Sequence, residues 1–288
     1  MKELIKDITG KRVGVISLGC DKNRVDTEKM LGILSEKHAI VSDIEKAQII
    51  IVNTCAFLES SRKESVNETL SAATYKQNGC AEKLIVTGCL PQKFIGELWK
   101  GLPEADAFLG VSDYGRINDV INEIYAGDRV NAVGTPCGEC GIKRVATTDG
   151  YAYLKIADGC SNHCTYCLIP KIRGKYRSVP KEELIEEVKT LGNVRELILV
   201  AQDTTKYGED LKEKSSLPEL IRALSALSNV GGIRLLYCYP ENITEELINE
   251  FRCNAKMIRY IDIPLQHADD RVLKLMNRKG TGAEYLAL

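Results

Sequence analysis

Tyr151-Ala152-Tyr153-Leu154-Lys155-Ile156 runs through Ala157-Asp158-Gly159 into Cys160-Ser161-Asn162-His163-Cys164-Thr165-Tyr166-Cys167. The first six residues read as a strand, and the strand delivers a C-x3-C-x2-C loop. Downstream, Leu197–Ala201, Ile233–Tyr237 and Ile258–Ile263 read as further strands. Helical stretches separate them. Pro180 opens one at the favoured first position, with Leu184, Ile185, Val188 and Leu191 on one face. Leu220, Ile221, Leu224 and Leu227 mark a second, Thr244–Phe251 a third, and Val272, Leu273 and Met276 a fourth beginning near Asp269. Strands alternating with helices argue for a parallel sheet with right-handed crossovers. Four such units do not close a barrel. The chain stops at Ala287-Leu288, inside what reads as the start of another helix, and so reads as a fragment of a longer protein.

Upstream the same alternation recurs. Val13–Leu18 ends in Gly19-Cys20, Ile49–Val52 in Asn53-Thr54-Cys55, and Leu84–Val86 in Thr87-Gly88-Cys89. A helix is expected around Thr27–Leu34. Another is expected from a capping box at Ser61-Arg62-Lys63-Glu64, with Val66, Leu70 and Ala73 as its apolar stripe. Gly127–Thr148 holds scattered Gly, Pro and polar residues. The expected organisation is therefore an α/β domain over 1–126, a linker over 127–148 and a second α/β domain over 149–288.

The 288 residues fit two domains, and 44% apolar with 27% charged residues is an ordinary globular composition. Lys and Arg total 39 against 40 Asp and Glu, a net charge of −1. That excludes binding to DNA by bulk positive charge. No apolar run reaches the ~18 residues of a membrane span. Met1-Lys2-Glu3-Leu4 does not start a signal peptide. The expected location is the cytoplasm. There, 11 cysteines point to metal or redox chemistry and not to a disulfide framework.

Three thiolates on the tight loop of Cys160, Cys164 and Cys167 suit three irons of a cubane cluster, leaving the fourth iron open to a substrate atom. The competing reading is a zinc site with His163 as fourth ligand. His163 sits directly beside Cys164, which leaves little freedom for tetrahedral closure. Cys20, Cys55 and Cys89 each lie just past a predicted strand end. In a parallel sheet those ends share one edge, where open α/β folds bind ligands. Strands ~4.8 Å apart bring the three thiols together. A second cluster is expected on them, against the alternative of three buried structural thiols.

The C-x3-C-x-aromatic-C pattern, with Tyr166 in the aromatic position, resembles the radical S-adenosylmethionine superfamily. That likeness implies a partial (β/α) barrel and a 4Fe-4S cluster. Its open iron would chelate S-adenosylmethionine, whose cleavage yields a 5′-deoxyadenosyl radical. Both triplets together resemble the narrower methylthiotransferase family. The matching stretches are Ser17-Leu18-Gly19-Cys20, Asn53-Thr54-Cys55, Thr87-Gly88-Cys89 and Asp158-Gly159-Cys160 through Arg173-Gly174. What this implies is two 4Fe-4S clusters, S-adenosylmethionine as cofactor and a reductant such as flavodoxin or ferredoxin. Cys20-Asp21-Lys22-Asn23-Arg24, Ala201-Gln202-Asp203-Thr204, Tyr237-Cys238-Tyr239-Pro240 and Asp262-Ile263-Pro264-Leu265-Gln266-His267 resemble one branch. That branch modifies the β-carbon of an aspartate in a small-subunit ribosomal protein. The alternative branch modifies an adenosine of transfer RNA. The family also has a C-terminal portion, a small β-barrel domain called TRAM, with no counterpart here.

Gln202 and Gln266 lie at predicted strand ends, where cofactor contacts gather in barrels. With Tyr166 and Arg173 they form the expected cofactor-binding set, Arg173 as a partner for a carboxylate. No residue stands out as a catalytic acid or base. Cys137-Gly138-Glu139-Cys140 reads as two loop thiols, and Cys80, Cys238 and Cys253 as structural. A non-enzymatic iron–sulfur carrier is the remaining alternative. It fits poorly, because electron-transfer clusters usually have every iron ligated by protein.

Overall fold

The structure, a computed structural model, describes residues 8–136 and 144–288. Cys137 and Cys140 lie outside the described residues. The chain divides into two compact units, Met1–Val145 and Ala146–Leu288.

The first unit contains β1 (Arg12–Ser17), α1 (Asp21–Leu34), β2 (Ala39–Ile40), β3 (Ile49–Thr54), α2 (Glu59–Asn78), β4 (Lys83–Gly88), α3 (Cys89–Gly101), β5 (Ala107–Leu109), α4 (Ile117–Tyr125) and β6 (Val130–Ala132). The six strands pair in the order β2-β1-β3-β4-β5-β6, and every pairing is parallel. Every residue of β3 is buried. An unbroken Ile-Ile-Ile-Val run is what a central parallel strand covered on both faces requires. Chain order reverses between β1 and β3, so the crevice at their carboxyl ends is a topological switch point.

Sequence reading missed β2, β5 and β6, each only two or three residues long. β6 falls inside the stretch expected as linker, where Val130 and Ala132 pair with Ala107 and Leu109. The expected capping box also fails. α2 starts at Glu59 with Leu58 before it, so Ser61 is already inside the first turn. Its buried face is Ser65, Thr69, Ala72 and Ala73, while Leu70 is exposed. Close approach explains the small polar face. Ser65 Oγ accepts the Cys55 N–H at 3.0 Å and donates to the Cys55 carbonyl at 2.9 Å.

The second unit contains β7 (Tyr151–Lys155), β8 (Ala157–Asp158), α5 (Ile169–Ile172), β9 (Arg177–Ser178), α6 (Lys181–Thr190), β10 (Val194–Val200), α7 (Leu217–Ser225), β11 (Val230–Leu235), α8 (Glu245–Cys253), β12 (Met257–Ile261), α9 (Asp270–Leu275) and α10 (Gly282–Ala287). Its main sheet runs β12-β11-β10-β7, all parallel, and winds in one direction without reversal. That is an open arc of barrel type. The fold class is therefore the expected one: an α/β unit on a parallel sheet, then a partial (β/α) barrel. Pro180 precedes α6 as its N-cap and is not its first residue. Caps outside the sequence reading close α7 and α10, by reciprocal Ser216–Glu219 and Thr281–Glu284 bonds. β8 and β9 form a two-stranded antiparallel clip, Asp158 opposite Arg177, at the mouth of the cysteine loop. The core lies between the sheet and α6, α7 and α8, on residues such as Leu154, Leu184, Leu199, Leu220, Ile233 and Leu247. Each such side chain contributes about 1.5–3 kcal/mol on burial.

Candidate functional site

In the first unit the three cysteines sit at the carboxyl edge of neighbouring strands. The pairs Ser17↔Asn53 and Thr54↔Gly88 place Cys55 and Cys89 directly after register partners. Cys20 is the N-cap of α1, and Cys89 opens α3. Cys55 and Cys89 are buried and Cys20 is exposed. Cys20 and Cys55 flank the β1/β3 switch point. Two glycines make the approach possible. Gly19 has φ +88, and a Cβ there would meet Cys55 Cβ at 2.8 Å and Sγ at 3.2 Å. Gly88 has φ +97, and a Cβ there would fall 2.3 Å from Asn53 Oδ1 and 2.6 Å from the Thr54 carbonyl.

Asn23 ties this edge together, a role that sequence reading missed. Its Nδ2 donates to the Leu18 carbonyl at 3.2 Å and to the Thr54 carbonyl at 3.0 Å, and Cys89 Sγ lies 3.7 Å from its Oδ1. Asn53 Nδ2 in turn donates to the Asn23 carbonyl and to Thr27 Oγ1, both at 2.9 Å. A hint was present: an asparagine one helical turn after Cys20, where a short amide reaches across strand ends.

In the second unit the C-x3-C-x2-C loop follows β8. Gly159 has φ +74, and a Cβ there would fall 2.1 Å from the Lys175 carbonyl, so only glycine lets the loop leave the clip. Cys160 N–H donates to the Gly174 carbonyl at 3.1 Å, closing the loop on its return limb. Two sulfurs receive backbone amides: Asn162 N–H to Cys160 Sγ at 3.5 Å, and Ile169 N–H to Cys167 Sγ at 3.4 Å. Cys164 Sγ instead meets the Tyr239 hydroxyl at 2.8 Å. Burial pushes the Cys160 thiol up to about 11, against the Asn162 amide, with Asp203, Cys167 and Cys164 adding to the rise. The Cys167 thiol is raised as well, chiefly by burial, so both thiols lose by ionising without a counter-charge, which is the electrostatic demand a cationic iron centre meets.

The expected companions are placed as follows. Tyr166 is 45% exposed beside Cys164. Arg173 is buried, with Nη1 3.2 and 3.1 Å from the two oxygens of Asp158. Lys155 Nζ is 3.7 Å from the same carboxylate. Burial raises the Asp158 carboxyl, but Arg173 and Lys155 outweigh it and hold it well below the usual carboxylate range. Gln266 is exposed and adopts φ +70. Gln202 follows β10 by two residues, and both polar atoms of its amide are buried without a partner. Its neighbour Asp203 accepts from Asn162 Nδ2 of the cysteine loop at 2.8 Å, and Lys206 Nζ donates to Asn162 Oδ1 at 2.7 Å. A small open cleft beside the loop is lined by Asn162, Lys206, Tyr239, Glu241, Asn242, Asn277 and Lys279. Cys238 is fully buried, its thiol pushed up to about 12 chiefly by burial. Cys80 and Cys253 are exposed.

Each triplet offers three thiols, the donor set that iron–sulfur clusters use. Among the described residues no three His, Cys, Asp or Glu side chains converge on a point that would hold one metal ion. Mononuclear zinc needs that convergence, with every ligand ~2.0–2.3 Å from one centre. A cluster spreads its thiolates over separate irons. S-adenosylmethionine also fits. A buried amide without partners costs about 1–3 kcal/mol, and Gln202 offers one donor and one acceptor to an incoming polar group beside the loop.

Residues 12–110 match the family described as "Uncharacterized protein family UPF0004", and residues 154–288 match the Radical SAM superfamily. The chain is 50% identical over 280 residues to "Ribosomal protein uS12 methylthiotransferase RimO" of Clostridium tetani, covering 95% of this chain and 62% of that protein. It is 51% identical to the protein of the same name from Caldanaerobacter subterraneus, covering 94% of this chain and 63% of the relative. This chain thus spans somewhat under two thirds of these relatives' length. Among solved structures it is similar to the cobalamin-dependent S-adenosylmethionine radical enzyme OxsB, with TM-score 0.63, 12% identity, and coverage of 96% of this chain and 47% of that one. It is also similar to the radical S-adenosylmethionine methyltransferase TsrM from Kitasatospora setae, with TM-score 0.65, 11% identity, and coverage of 96% and 63%. These structural likenesses bear on the fold alone. With identity near one half along almost its whole length, the chain belongs to the methylthiotransferase family of the radical S-adenosylmethionine superfamily.

Proposed function

We propose that this chain is the cluster-bearing part of a methylthiotransferase that adds a methylthio group to the β-carbon of an aspartate in ribosomal protein uS12. The observation that carries this reading is the pair of thiol triplets, each gathered at a carboxyl strand edge, in a chain half identical to uS12 methylthiotransferases. Cys160, Cys164 and Cys167 would hold one 4Fe-4S cluster, and Cys20, Cys55 and Cys89 the other. When bound, such clusters supply an electron for cleaving S-adenosylmethionine and an open iron at which a ligand is held.

The chain's own residues set the geometry. The Asp158–Arg173–Lys155 group, buried under the clip, anchors the limb from which the cysteine loop departs. Asn162, held by Asp203 and Lys206, fixes the loop between the first and second cysteine. Gln202 presents its unpaired amide to the cofactor's polar groups. Tyr166 and Gln266 would line the approach, and Arg173 acts from beneath the loop, through Asp158. No helix among the described residues is long and apolar enough to cross a membrane. The reading places the reaction in the cytoplasm, with a flavodoxin- or ferredoxin-type reductant.

The test is anaerobic reconstitution followed by three measurements: iron and sulfide content, release of 5′-deoxyadenosine under dithionite, and mass spectrometry of uS12 incubated with the protein. Two clusters and reductant-dependent cleavage of S-adenosylmethionine support the reading. Stoichiometric zinc in place of iron, or no cleavage by an iron-loaded preparation, refutes it.

A further inference from the structure

The three sulfurs of the C-x3-C-x2-C loop differ in what touches them. Cys160 and Cys167 accept from backbone amides of their own loop. Cys164 instead meets side chains: Tyr166 of its own loop lies beside it, and the hydroxyl of Tyr239, from a different part of the sheet, is 2.8 Å away. Tyr239 lies just past β11 and is fixed from both sides. Its N–H donates to Thr205 Oγ1 at 3.2 Å, and the preceding Tyr237 is held at φ +59. The Arg278 guanidinium lies 3.7 Å from the centre of the Tyr239 ring. Arg278 is 7% exposed, donates from Nη2 to the Pro264 carbonyl at 3.0 Å and has Glu241 at 3.6 Å. The segment carrying Arg278 also grips the cysteine loop: Thr165 N–H donates to the Met276 carbonyl at 3.2 Å, and Asn277 Nδ2 to the His163 carbonyl at 3.0 Å.

We infer that Tyr239, backed by Arg278, is a positioning residue that donates a hydrogen bond to the Cys164 thiolate and thereby raises the reduction potential of the iron cluster on this loop. The inference rests on the cluster assignment proposed above. A thiolate bound to iron carries no proton, so the phenol must be the donor. A donor aimed at sulfur stabilises the electron-rich reduced cluster more than the oxidised one, and hydrogen bonds to sulfur are among the determinants of cluster potential. The stacked guanidinium, itself buried, adds positive potential at the ring and draws density from it, which strengthens the O–H donor. Because the other two sulfurs accept from backbone amides, the Tyr239 contact can be removed by a side-chain change that leaves theirs in place.

The experiment uses the full chain carrying Cys20→Ala, Cys55→Ala and Cys89→Ala, so that only the second-unit cluster reports. Iron content is measured, and the midpoint potential is followed by EPR-monitored titration. Tyr239→Phe keeps the ring under Arg278 and removes only the hydroxyl. The expected result is unchanged iron and a reduction equilibrium about tenfold less favourable, equal to about 59 mV for a one-electron couple. Arg278→Gln shifts the potential the same way by less. Replacing Tyr239 by 3-fluorotyrosine, a stronger donor of the same shape, shifts it upward. Full iron with an unchanged potential in Tyr239→Phe overturns the inference while leaving the cluster assignment intact. A parent that binds no iron overturns both. If Tyr239→Phe loses its iron, the fluorotyrosine protein decides: a raised potential supports the inference and an unchanged one refutes it.

Discussion

Replacing Asp158 by Asn tests whether the buried charge group beneath the cysteine loop has the role assigned to it. The carboxylate is buried with two cations, Arg173 at 3.1 Å and Lys155 at 3.7 Å, and it also accepts the Gly159 N–H at 2.9 Å. An amide is isosteric and keeps one acceptor, so the amide contact can survive. What disappears is the negative charge that the structure places against both cations. Removing one member of a buried ion pair costs about 3–5 kcal/mol, because the remaining charge stays out of water. At roughly 2–4 °C per kcal/mol for a chain of this size, melting should fall by about 6–20 °C. The assay is thermal melting of iron-free protein, with hydrogen exchange used to assign the lost stability to the second unit. The dependence on pH gives an independent check. The native carboxyl titrates below its unfolded value of about 3.9, so its contribution is complete above that value and drains away as pH falls toward the native one. The gap between wild type and variant should therefore be flat between about pH 5 and 8 and close in stronger acid. A loss under about 1 kcal/mol, or a gap that widens on acidification, would refute the assignment.

Three further outcomes are expected. Joint replacement of Cys160, Cys164 and Cys167 by Ala should leave roughly half the iron of the reconstituted protein, as should joint replacement of Cys20, Cys55 and Cys89; metal analysis reads this directly, and nearly full iron in either variant counts against two separate centres. Cys164→Ala should abolish 5′-deoxyadenosine formation, whereas Cys55→Ala should retain cleavage and stop product formation, and wild-type methylthiolation by Cys55→Ala would end the division of labour. Gln202→Leu removes two buried polar atoms that have no partner, so iron-free protein should gain about 1–3 kcal/mol of stability, while equilibrium dialysis should show S-adenosylmethionine binding weakened by about tenfold for each 1.4 kcal/mol lost. Unchanged affinity would show that the amide faces no ligand.

Much of the molecule was legible in one dimension. The cysteine spacing on the 160–167 loop, the Ile49–Val52 run and the recurrence of a cysteine after each major strand are local patterns. They report on the backbone that carries them, because a strand continuously apolar over four residues has to be covered on both faces and its end has to lie at a sheet edge. That was enough for the fold class and for placing Cys55 and Cys89 at neighbouring strand ends. What escaped depended on partners distant in sequence. β6 is too short to announce itself and exists because β5 offers it a ladder. The inner face of α2 is Ser65, Thr69, Ala72 and Ala73, with Ser65 placed to bond the Cys55 backbone, so of the expected stripe Ala73 is buried and Leu70 is exposed. Arg173 looked like a free cation available to a cofactor, and only packing shows it committed to Asp158. Asn23, Gln202, Tyr239 and Arg278 carry no spacing of their own. Their roles arise where strand ends tens of residues apart come within hydrogen-bonding distance, and a contact of that kind is a property of the folded sheet edge and not of any stretch of chain.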